Sequence, residues 1–170
     1  MKVTVIYESI YGNTAAIAEA IAVGLRTHSE VELRAVDDLS VTADLLVLGA
    51  PTHGHGLPHS DRTAIERAAE KALARGDRLE YHPTAGMRRF IDSLPETQGL
   101  GVACFDTRFD KSAILTGSAA KTMAGKLGRL GYRIVVDPES FFVLHTEGPL
   151  KEAELDRARD WGESLPVSSA

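Results

Sequence analysis

Two hydroxyl side chains, Ser9 and Thr14, bracket Tyr11, Gly12 and Asn13, directly after an apolar strand and directly before a run of alanines. Hydroxyls, an amide and a glycine that can take positive φ, set at the entrance to a helix, are groups that hold an anion. The stretch contains no Lys and no Arg. Binding there must rest on backbone N–H groups, hydroxyls and the helix N-terminus. That chemistry suits a monophosphate ester held for its shape. It does not suit a nucleoside triphosphate, whose loop G-x-x-x-x-G-K-[ST] needs its lysine. The nearest approach to that pattern, residues 117–122, lacks the second glycine. The same residues also read as an ordinary helix cap, with Asn13 or Thr14 capping, Gly12 turning and nothing bound.

A second candidate stretch, "GAPTHGHGLP", follows another apolar run. Glycines at 49, 54 and 56 let the backbone approach a flat ligand, and Pro51 and Pro58 stiffen the ends. Its histidines, with His59 nearby, lack a carboxylate or thiolate beside them, so a structural zinc site is not expected. G-x-G-x-x-G is absent as well, since Gly54-His55-Gly56 runs on to His59. A third stretch, "FDTRFDKSAILTG", brings a cation, Arg108, and an aromatic, Phe109.

What must position these stretches is an alternation of strands and helices. Apolar, β-branched runs lie at 3–7, 31–36, 45–49, 101–105 and 132–136, with a further extended piece at 141–145. The first, third and fourth are almost continuously apolar, as strands covered on both faces must be. Ile17, Ile21 and Leu25 give a helix after Thr14, and Met123, Leu127 and Leu130 another after Ser118. Met87, Phe90, Ile91 and Leu94 give a shorter one, entered past Thr84 and ended by Pro95. Leu155, Ala158, Trp161 and Leu165 line one side of the last. This pattern predicts an α/β domain over 1–165, a doubly wound parallel sheet with helices on both faces. Residues 57–83, with a polar helix at 61–75 carrying Arg67, Lys71 and Arg75, read as an insertion, and 166–170 as a disordered tail. The three candidate stretches all leave the carboxyl ends of strands, where ligands bind in open parallel sheets.

Composition narrows the function. The net charge of −5 argues against nucleic acid as the ligand. No apolar run approaches the ~20 residues that a membrane span needs. One cysteine, Cys104, excludes an internal disulfide. The chain enters its first strand at once, without a signal peptide, so the cytoplasm is the expected compartment. No nucleophile, acid or base constellation stands out, which fits chemistry carried by a cofactor.

The strand–loop–helix "YESIYGNTAAIAEAI" and the loop "LGAPTHGHGLP" resemble the flavodoxin family over residues 2 to about 165. The family's phosphate loop, [ST]-x-[ST]-G-x-T, is matched by Ser9, Gly12 and Thr14, with Tyr11 in place of a hydroxyl residue. An aromatic there is similar to flavodoxin-like quinone reductases. The resemblance implies a five-stranded sheet of order 2-1-3-4-5 and FMN as cofactor. It implies that Ser9, Ile10, Tyr11, Gly12, Asn13 and Thr14 hold the phosphate. Pro51, Thr52, His53 and Gly54 would lie along the isoalloxazine, and Phe105, Asp106, Thr107 and Arg108 near its pyrimidine edge. The family's stacking tryptophan has no counterpart, because Trp161 falls on a core stripe. The expected role is an electron carrier, a monomer or homodimer, serving redox partner proteins or a small-molecule acceptor. The alternatives are an FMN-dependent NAD(P)H:quinone-type oxidoreductase and a flavin-free binding domain that keeps the fold.

Overall fold

Alternating inward-facing residues on each strand send one set of side chains to either side of a parallel sheet. The computed structural model describes residues 1–36, 41–53, 56–57, 70, 74 and 86–167. The strands are β1 (Lys2–Tyr7), β2 (Glu30–Ala35), β3 (Leu45–Pro51), β4 (Gly101–Phe109), β5 (Arg133–Ile134) and β6 (Glu139–Val143). The helices are α1 (Asn13–Leu25), α2 (Met87–Ser93), the single turn α3 (Ala113–Thr116), α4 (Ala119–Arg129) and α5 (Glu154–Ser164). The sheet runs β2-β1-β3-β4-β5, every pairing parallel, as the resemblance implies.

The fifth position is shared. β5 pairs with Gly101 and Val102 at the start of β4, and β6 pairs with Phe105 to Phe109 at its end. Pro138 lies between the two pieces and cannot donate to a ladder. Because β6 covers its second half, β4 continues through Asp106, Thr107 and Arg108, which the sequence reading assigns to a loop.

Ile6, Leu46, Leu48, Val102 and Cys104 bury against α2 and α4, with Met87, Ile91, Met123 and Leu127 opposite them. Val3, Val5, Val47, Ala103 and Phe105 bury against α1 and α5 on the other face. Ile17, Ile21 and Leu25 are fully buried, as their spacing predicts. Burial pushes the Cys104 thiol up to about 12, helped by the Asp106 charge, so it behaves as a small core hydrophobe. Helices α1 and α5 touch backbone to backbone, since a Cβ at Gly162 would fall on the Ile21 carbonyl.

The last helix departs from its predicted stripe. Leu155 is exposed, whereas Glu154 turns inward. The Glu154 carboxylate accepts the Phe142 N–H at 2.8 Å and pairs with Arg157 at 2.6 Å. A backbone donor at the end of β6 thus outweighs the hydrophobic pattern. Trp161 packs edge-on against Phe105 and Phe141, at centroid distances of 6.3 and 6.2 Å. Of the expected polar helix at 61–75 only Glu70 and Ala74 are described, both helical and exposed; its basic ridge and the expected cap at Thr84 lie outside the described residues, as do most of the expected insertion at 57–83 and residues 168–170.

Candidate functional site

The carboxyl ends of β1, β3 and β4 open onto one cavity of about 320 Å³. That is the lower end of the range for small-molecule sites.

Its first wall is the turn from β1 into α1. Gly12 is the N-cap of α1, at φ 83, and no side chain caps the helix. The reading of Asn13 or Thr14 as an ordinary cap is therefore not realised. Left-handed backbone at this point favours glycine, because a Cβ would be strained there. The first N–H groups of α1 have no intrahelical acceptor and carry the positive end of the helix dipole. Beside them Ser9, 1% exposed, has a buried hydroxyl with no hydrogen-bond partner among the described residues. Ser9, Ile10, Tyr11, Asn13 and Thr14 all line the cavity. An uncapped helix start and an orphaned buried hydroxyl are what a bound phosphate would satisfy. The residues fit that group.

The second wall is Pro51, Thr52 and His53. Thr52 is fixed from both sides: its N–H donates to the Thr107 carbonyl at 2.9 Å, and its hydroxyl donates to Asp106 Oδ2 at 3.1 Å. His53 closes a tight turn with Gly56 through reciprocal backbone bonds of 3.0 and 3.2 Å. Burial lowers its pKa, so the imidazole is neutral at pH 7, and its Nε2 is buried without a hydrogen-bond partner among the described residues. Gly54 lies outside the described residues.

The third wall is Thr107, Arg108, Phe109, Leu115 and Thr116. Thr107 Oγ1 meets Thr14 Oγ1 at 2.8 Å. Arg108 donates through Nε to Ser140 Oγ at 2.9 Å and through Nη1 to the Lys111 carbonyl at 2.6 Å. Its guanidinium also stacks over Phe142, 5.1 Å from the ring centroid. Leu115 is 69% exposed and Phe109 37%, an apolar pair at the cavity mouth.

Two of the expected site residues are elsewhere. Phe105 is wholly buried among Phe141 and Trp161 on the α1–α5 face. Asp106 is also fully buried and acts as a strut. Its Oδ2 accepts from Ser118 Oγ at 2.6 Å and from the Ala120 N–H at 3.0 Å, holding the start of α4. Glu8, next to Ser9, is a second buried carboxyl at this edge, and its Oε2 accepts the Met87 N–H at 2.9 Å. Desolvation raises its pKa, only partly opposed by that bond.

Leu115, Thr116, Val143 and Thr146 line the cavity without having been expected there. Val143 and Thr146 stand at the end of β6. The rule that ligands gather at carboxyl ends of parallel strands would have reached them, had the extended piece at 141–145 been counted as a strand of the same sheet. Leu115 and Thr116 lie in the third candidate stretch, 105–117, without having been singled out within it.

A doubly wound parallel sheet with an uncapped helix start and a hydroxyl-lined cavity at its carboxyl edge defines a mononucleotide-binding α/β protein. The family model for flavodoxin matches residues 5–161. The chain belongs to the flavodoxin family, whose members bind FMN and carry electrons to partner proteins. Among solved structures it is similar to a flavodoxin from the domain Archaea, at 20% identity and TM-score 0.62, over 96% of this chain and 94% of that one. It is similar to oxidised flavodoxin 2 from Bacillus cereus, at 20% identity and TM-score 0.63, over 95% of each chain. Two-electron reduced Megasphaera elsdenii flavodoxin matches at 20% identity and TM-score 0.60, over 95% of this chain and 96% of that one. At that identity these likenesses speak for the fold. No curated protein matches the chain. No helix among the described residues is long and apolar enough to cross a membrane.

Proposed function

We propose that this chain is an FMN-binding electron carrier of the cytoplasm that exchanges electrons with partner proteins. The observation that carries the reading is the pairing of the uncapped α1 start with the orphaned Ser9 hydroxyl in one cavity. Bound FMN supplies the chemistry, taking up and releasing one or two electrons. The chain's own residues bind and orient it. Ser9, Thr14 and the first N–H groups of α1 hold the phosphate, with neutral donors replacing cations. Thr52 and His53 line one side of the ring, their backbone fixed by Thr107 and Gly56. Phe109 and Leu115 cover apolar surface that would otherwise face water.

Thermal unfolding with FMN and with riboflavin tests this. FMN at about a hundred times its Kd would stabilise the fold by ~2.7 kcal/mol. For a domain of this size that is a rise in Tm of roughly 5–10 °C. Riboflavin, lacking the phosphate, should give a much smaller shift. Equal shifts, or none with FMN, defeat the reading. Anaerobic mixing of the FMN-loaded protein with NADH and NADPH then separates carrier from oxidoreductase. A carrier bleaches only when a reductase protein is added.

A further inference from the structure

The chain beyond β6 folds back on itself and reaches the phosphate end of the cavity. Val143 bridges antiparallel to Leu150, and the Leu144 N–H donates to the Pro149 carbonyl at 2.9 Å. The turn between them is fastened from outside at two points. Asn13 Nδ2, in the first turn of α1, donates to the Glu147 carbonyl at 3.1 Å. Lys151, just past the turn, pairs with Asp110, the residue after β4, at 2.6 Å. The contact with α1 is close. Gly148 sits at φ 105, and a Cβ on it would stand 2.6 Å from Asn13 Oδ1. Only glycine lets the backbone pass there. Thr146, in this turn, lines the same cavity as Ser9, Asn13 and Thr14.

We propose that the 144–149 turn is a fourth wall of the cofactor site, with the Thr146 hydroxyl donating to the phosphomonoester and Asn13 acting as the positioning residue that holds the turn in place. This rests on the FMN reading above. The need for such a donor follows from the cavity's charges. His53 is neutral, and Arg108, the one Lys or Arg among the described lining residues, has its Nε and Nη1 tied to Ser140 and the third wall. A phosphate held without a lysine or arginine needs each of its oxygens met by an N–H or O–H. Thr14 and Thr107 share one hydrogen bond between their two hydroxyls, so one of the pair's two protons is already committed. A hydroxyl from outside the α1 turn fills the gap. The amide of Asn13, which the resemblance gives to the phosphate, is engaged by the turn instead.

Titration of wild type, Thr146→Val and Gly148→Ala with FMN and with riboflavin tests this. Thr146→Val keeps the side chain's shape and deletes only the hydroxyl. It should raise the Kd for FMN by about tenfold or more, the worth of a hydrogen bond to a charged group, and leave the Kd for riboflavin unchanged. Gly148→Ala, which pushes the turn away from Asn13, should show the same FMN-selective loss. A Thr146→Val protein that binds FMN within twofold of wild type, or loses affinity for both flavins equally, overturns the fourth wall while leaving the functional reading intact. A wild type that binds neither flavin overturns both.

Discussion

Thr14 Oγ1 and Thr107 Oγ1 lie 2.8 Å apart, buried, joining the start of α1 to the end of β4 across 93 positions of sequence. Each hydroxyl has one proton and can accept two bonds. If Thr107 gives its proton to Thr14, the Thr14 proton is released toward the cavity and its ligand. The pair therefore orients one donor as well as bridging two walls. Thr107 is held for this by its carbonyl, which accepts the Thr52 N–H at 2.9 Å. Thr107→Val should weaken FMN binding about threefold to tenfold and cost the apo protein ~1 kcal/mol. Flavin titration with urea denaturation of the same variant checks both numbers. Unchanged affinity would mean that Thr14 orients itself.

Ser9 separates binding from stability. Its hydroxyl is buried and unpaired among the described residues, a state that costs ~1–3 kcal/mol of desolvation. Ser9→Ala removes that cost, so the apo protein should become more stable, by ~1 kcal/mol. The same change removes a bond to a charged phosphate worth ~1.5–3 kcal/mol and should raise the Kd for FMN by roughly tenfold to a hundredfold. Combined with Thr14→Ala the loss should pass a hundredfold. Opposite signs in the two measurements identify a site hydroxyl, whereas matching losses would make Ser9 a structural residue.

Glu8 gives a pH dependence with a definite sign. Its folded pKa is raised above the ordinary 4.5, chiefly by burial. The folded state therefore holds the proton more tightly than the unfolded chain does, and stability must fall as pH rises above about 4.5. Glu8→Gln keeps an acceptor for the Met87 N–H and cannot ionise. The difference in unfolding free energy, Gln variant minus wild type, should be more positive at pH 8 than at pH 5. Urea melts of the apo proteins at the two values decide it. A constant difference would mean that Glu8 ionises as readily folded as unfolded.

Periodicity was enough for most of the frame. Ile17, Ile21 and Leu25 on α1, and Val3 and Val5 on β1, are local signals that tertiary contacts only confirm. What stayed hidden depends on partners far along the chain. Nothing near Leu155 says that Glu154 will be drawn inward, because its partner is the N–H of Phe142. The extension of β4 through Arg108 likewise depends on β6, whose pairing no local pattern announces. The first wall of the cavity was legible because its groups, from Ser9 to Thr14, are nearly consecutive. Phe105 and Asp106 do not line the cavity, because β4 continues through them and buries both side chains where the sequence reading has the chain leaving the sheet. Thr146 was missed for a related reason: its loop belongs to a strand piece split from β5.

Arg108 is both a strut and a charge, and the two roles can be separated. As a strut it bonds Ser140 Oγ and the carbonyls of Phe109 and Lys111, joining β6 to the turn that carries Leu115. As a charge it is only 11% exposed and stands 3.9 Å from Asp106 Oδ1, which has no hydrogen-bond partner among the described residues. Reduction places negative charge on the bound flavin, and a cation in the cavity wall favours it. Solvent and the Asp106 carboxylate reduce the effect to ~1–2 kcal/mol, which is roughly 40–90 mV for a one-electron couple. Arg108→Met removes the charge and keeps much of the stem, so the midpoint potential of bound FMN should fall by about that amount. Arg108→Lys keeps the charge but cannot bond Ser140 and Lys111 together, since it lacks the fork of a guanidinium. Its potential should stay near wild type while FMN binds more weakly. Spectroelectrochemical titration beside flavin titration reads both. Equal potentials in all three proteins would leave Arg108 as a strut alone.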